Sequence, residues 1–172
     1  MAIEFMKLIS PTVEYQDSYI SYIKELGDEE RYPFPLDFEY KDFVGLLKKL
    51  DGFANGSSVP ENMVPSSTFW LIQNNEIVGV TNLRHYLNKE IEFCGGHIGL
   101  GIRPSFRGKG IGSFLMAESI KKLNSIGVNI VHIHCYKDNL ASSAMIIANG
   151  GKLSSEFSEQ NKVIQRYVVS TI

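Results

Sequence analysis

Apolar residues recur along the chain with two periods, and the switches between them mark out alternating strands and helices. Ile3–Ile9 is a short, mostly apolar segment that predicts a first strand, stopped by Ser10-Pro11. Serine followed by proline suits an N-cap and first helical position. Tyr15, Tyr19, Tyr22 and Leu26 then repeat at helical spacing up to Gly27, so an aromatic stripe facing the core is expected. Arg31-Tyr32-Pro33-Phe34-Pro35 predicts an extended connector, because each proline drives its predecessor away from helix. A second helix is expected from about Asp37, with Phe43, Leu46, Leu47 and Leu50 on one face. Asp51–Ser66, rich in Gly, Ser, Asn and Pro, reads as a long loop, either a functional lid or a surface excursion.

Beyond it, Thr68–Ile72 and Ile77–Leu83 flank Gln73-Asn74-Asn75-Glu76 and predict a hairpin. Cys94–Ile102 predicts a fourth strand ending at Arg103-Pro104. A helix follows from about Gly110 to Ser125, with Met116, Ile120 and Leu123 inward and Gly127 as its stop. Ile130–Tyr136 reads as a strand, Leu140–Asn149 as a helix, and Leu153–Phe157 with Val163–Val169 as a closing hairpin. The order is strand, two helices, three strands, helix, strand, helix, two strands. That predicts one mixed α/β domain over residues 1–172, with a strand–helix–strand crossover at its centre.

Composition changes this picture little. The chain has 172 residues, 44% hydrophobic and 21% charged, as an ordinary globular domain does. A net charge of −2 argues against a general nucleic-acid binder. Cys94 and Cys135 have no metal-site or disulfide spacing and read as buried thiols of a reducing compartment. The N-terminus does not read as a signal peptide, and no apolar run approaches the ~20 residues a membrane span needs. A cytoplasmic protein without membrane attachment is expected.

The chemistry concentrates in Arg103-Pro104-Ser105-Phe106-Arg107-Gly108-Lys109-Gly110-Ile111-Gly112-Ser113, between a strand and a helix. Glycines let the backbone approach an anion, and the first-turn N–H groups of the helix favour a phosphate there. Arg103, Arg107 and Lys109 add positive charge. The string is no P-loop, and Gly-x-Gly-x-Gly past mid-chain does not match a dinucleotide fingerprint. By itself it fits a phosphate site or a solvated glycine turn.

Arg107-Gly108-Lys109-Gly110-Ile111-Gly112 resembles the acetyl-CoA signature of the GNAT superfamily of N-acetyltransferases, Arg/Gln-x-x-Gly-x-Gly/Ala. With Gly95-Gly96-His97-Ile98-Gly99, Asp138-Asn139 and Asn149-Gly150-Gly151, the resemblance covers about Trp70 to Leu153 and is to a less characterised bacterial branch. It implies a mostly antiparallel mixed sheet with splayed central strands and flanking helices. It also implies acetyl-CoA as cosubstrate, held by Ile102, Arg107, Gly108, Lys109, Gly110, Ile111, Gly112, Ser113 and Asn139. The acceptor would be an amine on a small molecule or a protein, and the state a monomer or a homodimer. No metal is called for.

Acetylating an alkylamine near neutral pH needs a way to remove its proton, because its pKa is about 10.4. His97 on the fourth strand is the candidate base, with Glu92 or a water relay as alternatives. A kink at Gly95, Gly96 or Gly99 would expose a backbone N–H to the oxyanion. The tyrosine that many GNAT enzymes place seven residues after the asparagine is Ile146 here, so Tyr136 at the end of the fifth strand is the candidate acid. That departure leaves a non-catalytic acyl-CoA sensor as the alternative function. His132 and His134 share one face of their strand and read as hydrogen-bonded sheet residues rather than metal ligands.

Overall fold

A computed structural model describes residues 5–171, so the first part of the expected N-terminal strand lies outside the described residues. The strand observed there, β1, is Lys7–Ile9 and pairs antiparallel with β2, Ser66–Gln73. β3, Glu76–Arg84, closes the expected hairpin through Asn74 and Asn75, both at positive φ as a tight two-residue turn requires. β4, Ile98–Ile102, completes a sheet in the order β1-β2-β3-β4. A second sheet holds β5, Ile130–Tyr136, then β7, Lys162–Ser170, then β6, Lys152–Glu159. All the ladders are antiparallel.

Helices cover these sheets. α1, Gln16–Leu26, and α2, Phe43–Asn55, pack on the first sheet. Tyr19, Tyr22 and Leu26 are buried there as their spacing predicts, and the Tyr19 ring lies 5.4 Å from that of Trp70. A short helix, α3, spans Lys89–Phe93. α4, Ile111–Ser125, joins the two sheets: Leu115 packs with Leu71 and Val78, and Met116 and Leu123 pack with Val131 and Ile133. α5, Leu140–Ala148, lies beside α4 and buries Ile146 in the same core as Val131. Burying each of these side chains contributes about 1.5–3 kcal/mol.

Several expected boundaries shift for physical reasons. Ser10 caps nothing: Ile9 is still paired with Trp70, Thr12 is extended, and a 3-10 turn at Val13–Tyr15 precedes α1. α2 starts at Asp42, whose carboxylate accepts the Gly45 N–H at 3.0 Å, while Asp37 closes a separate 3-10 turn. It also runs on to Asn55, because Phe53 continues the buried stripe of Leu46 and Leu50 and Gly56 supplies a left-handed cap. The loop therefore shrinks to residues 56–65. The fourth strand begins at Ile98, not Cys94, since Gly95 and Gly96 take φ of 131° and 69°. Cys94 is exposed and Cys135 half-buried, so the thiols are not core residues.

Candidate active site

The segment just before β4 pairs with the middle of β5, where Gly96 bridges Ile133 and the His97 N–H donates to the His132 carbonyl at 2.7 Å. Past that point the strands diverge and a cavity of about 1030 Å³ opens between them. Leu100, Gly101 and Ile102 form one wall and His134, Cys135 and Tyr136 the other. Met145 and Ala148 of α5 close one side, while Tyr22, Glu29, Glu30 and Tyr32 close the opposite side. None of its lining residues comes from the 56–65 loop, which therefore is not a lid over this cavity.

One end of the cavity is the glycine turn. Phe114 is the first residue of α4 whose N–H finds a helical carbonyl, that of Gly110 at 3.2 Å. Among the described residues, no group accepts a hydrogen bond from the N–H groups of residues 108–113. Gly108 and Gly110 have φ of 73° and 80°, and a Cβ on either would meet nothing within 4 Å. Gly112 has another role, because a Cβ there would press on the Met145 sulfur at 3.1 Å, so it lets α4 approach α5. Unpartnered N–H groups at the positive end of a helix dipole are the kind of arrangement that favours an anion.

The charged side chains are less free than the sequence suggests. Arg103 is buried and bonded to Glu25 and Ser21, so it holds α1 to the end of β4. Arg107 lines the cavity, donates its Nε–H to Ile102 O at 2.9 Å and forks onto both Glu29 oxygens at 2.8 and 3.2 Å. That hydrogen bond holds the Glu29 carboxyl below its usual range and raises the Arg107 guanidinium. Lys109 lies outside the lining, with Nζ 5.4 Å from the centre of the Phe106 ring. Ile111 is buried in the core, so only its backbone faces an anion.

Asn139, Ser113 and Tyr136 all reach the cavity. Asn139 also caps α5, its Oδ1 accepting the Ser142 N–H at 3.1 Å. Tyr136 is 45% exposed at the strand end, with Lys162 Nζ 4.5 Å from its ring centre. Ile146, at the expected tyrosine position, is a core residue.

His97 is not brought to the cavity. It is 4% exposed, and its Nδ1 accepts the His132 N–H at 2.9 Å. Burial, with help from His132 and Arg84, lowers its pKa to about 4. Both features correct the expectation that it faces a substrate as a base. Glu92 is exposed on α3 and also lies outside the lining. Among the described residues no three His, Cys, Asp or Glu side chains gather as metal ligands.

The sequence reading overlooked other lining groups. The Tyr22 hydroxyl is buried without a partner, and burial raises its pKa. Tyr32 lines the cavity with about half of its surface exposed, and desolvation of its phenol raises its pKa. Burial likewise raises both thiols, Cys94 and Cys135. Leu100 contributes backbone. Arg103 donates its N–H to Val78 and His97 offers its carbonyl to Arg84, so the odd-numbered residues of this strand face β3. Antiparallel alternation then turns the Leu100 N–H toward the cavity.

Comparison with known proteins agrees with this geometry. The acetyltransferase (GNAT) family model matches residues 14–146. The chain belongs to the GNAT family. This GNAT domain resembles solved structures closely in fold and little in sequence. One is a Bordetella pertussis protein assigned to the same family, at 12% identity and TM-score 0.69, covering 99% of this chain and 98% of that one. Another is the Salmonella typhimurium acetyltransferase that modifies the N-terminal serine of ribosomal protein L7/L12, at 14% identity and TM-score 0.70, covering 96% and 95%. A third, the microcin C7 self-immunity acetyltransferase MccE in complex with acetyl-CoA and AMP, is 16% identical with TM-score 0.70, covering 97% and 93%. No curated protein matches the sequence. Among the described residues of the GNAT domain, no helix is long and apolar enough to cross a membrane.

Proposed function

We propose that residues 1–172 act as one acetyltransferase unit that binds acetyl-CoA between β4 and β5 and acetylates a primary amine. The observation that carries this reading is the run of unpartnered N–H groups over residues 108–113, opening onto a cavity between diverging strands. These amides hold the pyrophosphate, with Ser113 and the Asn139 side chain beside them. The exposed edge of β4, at Leu100 and Ile102, offers backbone hydrogen bonds to an extended chain as a sheet partner would. Acetyl-CoA, when bound, supplies an acyl group activated as a thioester.

The chain's own groups do the rest. The Leu100 N–H is placed to donate to a developing oxyanion. Glu30 in the lining attracts a protonated amine, small or on a protein terminus, by simple charge complementarity, while Glu29 is already paired with Arg107. Among the described residues, the imidazole that lines the cavity, that of His134, already accepts the Gly95 N–H through Nδ1, so the amine proton leaves through cavity water. The Tyr136 hydroxyl is the proton donor at the thiol end, in place of the tyrosine absent at position 146. A cytoplasmic site of action fits two free thiols.

The test is amide-resolved NMR during titration with CoA. The resonances of residues 108–113 and Leu100 should shift first and furthest. Shifts confined to other surfaces would reject the assignment.

A further inference from the structure

We infer that His97 and His134 are positioning residues: together they clasp the start of β4 to the middle of β5 and so set where the strands part. The clasp is reciprocal. His97, entering β4, accepts the backbone N–H of His132 on β5 through Nδ1 at 2.9 Å. His134, on β5, accepts the backbone N–H of Gly95 before β4 through Nδ1 at 2.8 Å. Each strand thus caps an amide of the other with an imidazole, on either side of the bridge between Gly96 and Ile133.

This arrangement answers a structural need. Two strands that diverge leave N–H groups with no ladder partner, and a buried orphan amide is costly. Side-chain acceptors satisfy two such amides at the last point of contact, and the cavity can begin immediately beyond. Close approach there demands glycine, because a Cβ on Gly96 would sit 2.5 Å from the His132 carbonyl oxygen. Arg84 of β3 fixes the same segment from behind, donating from Nη1 to Gly96 O at 2.8 Å.

An imidazole nitrogen that accepts a hydrogen bond carries no proton, so both rings are neutral with the proton on Nε2. Their surroundings keep them neutral. Arg84 from β3 faces both rings, Arg166 from β7 faces His134, and His132 lies between, its ring centre 5.7 Å from that of His97. The Cys94 thiol and the Tyr32 phenol stand near Arg84. Among the described residues, no carboxylate acts on either imidazole.

This role rests on the reading that CoA occupies the cleft, and two measurements separate the clasp from that reading. His97→Asn places a carbonyl oxygen near the position of Nδ1, whereas His97→Gln carries it to the position of Nε2. In the unliganded protein, hydrogen exchange at the His132 amide should quicken at least tenfold in His97→Gln and return toward wild type in His97→Asn. Calorimetry with CoA should show a Kd about tenfold weaker for His97→Gln, largely restored in His97→Asn. A protected His132 amide and an unchanged Kd in His97→Gln would overturn the clasp, as would equal behaviour of the two variants. Normal CoA affinity in both with thiol release abolished would overturn it in favour of proton transfer. Wild-type protein that binds no CoA would defeat the cofactor reading alone, and the exchange data would still decide the clasp.

Discussion

Substitutions at Gly110 separate charge from shape in the proposed pyrophosphate site. The residue sits at φ 80° just before α4, and a Cβ there meets nothing within 4 Å. A side chain is therefore accommodated sterically, at a backbone cost of about 1–2 kcal/mol that Asn and Asp reduce because both tolerate the left-handed region. Gly110→Asn should fold, with a melting temperature lowered by a few degrees at most. Gly110→Asp differs from it only by one negative charge beside the free amides. Opposite a phosphate roughly 5 Å away, at an effective dielectric of about 20, that charge costs about 3 kcal/mol, or roughly a hundredfold in Kd. Calorimetry with CoA on both variants, with thermal melts as controls, gives the answer. Asp binding as tightly as Asn, both near wild type, would refute a pyrophosphate on these amides.

Three further outcomes follow from the same geometry. Asn139→Ala should lower stability by about 1 kcal/mol through loss of the Ser142 cap, read by denaturant melts, and also weaken CoA binding measured on the folded protein. Gly96→Ala should destabilise by more than 2 kcal/mol in the same assay, since it combines a Cβ 2.5 Å from His132 O with φ of 69°. Stability should also decline in acid. His97 has a pKa of about 4 when folded against 6.5 when free, so the unfolded chain binds the proton more readily between those values. The contribution is complete above pH 6.5 and is lost as pH falls to about 4, by roughly 1–2 kcal/mol after allowance for screening, with His134 adding in the same direction. Urea melts from pH 7 to pH 4 measure it, and His97→Asn should flatten the curve.

The parts of the fold legible in the sequence are those decided locally. The Asn74-Asn75 turn, the Tyr19–Leu26 stripe and the glycine turn before α4 each declare themselves within a few residues. Boundaries set by distant partners do not. Ile9 stays extended because Trp70 pairs with it, and α2 begins after Asp42, whose carboxylate caps the Gly45 amide. The site divides in the same way. The cradle is a contiguous string and could be read directly. The cavity walls come from α1, the 29–32 connector, β4, β5 and α5, so Tyr22, Tyr32 and Leu100 could not be gathered without the topology. His97 shows the sharpest difference. Alternation along a strand left its facing open, and the glycine bulge at residues 95–96 turned it onto β5 rather than toward a substrate. Arg103 likewise belongs to the basic string along the sequence, but in the fold Glu25 claims it.

Catalysis itself is tested most directly by incubating the purified protein with acetyl-CoA and a panel of primary amines, including basic peptides and polyamines. Free thiol and the mass of the acceptor are followed together. The account predicts at least one acceptor that gains one acetyl group for each thiol released, at a rate that Gly110→Asp suppresses about a hundredfold below saturation. Tight CoA binding with neither thiol release nor acetylated product across the panel would contradict it, and would make the domain an acyl-CoA sensor.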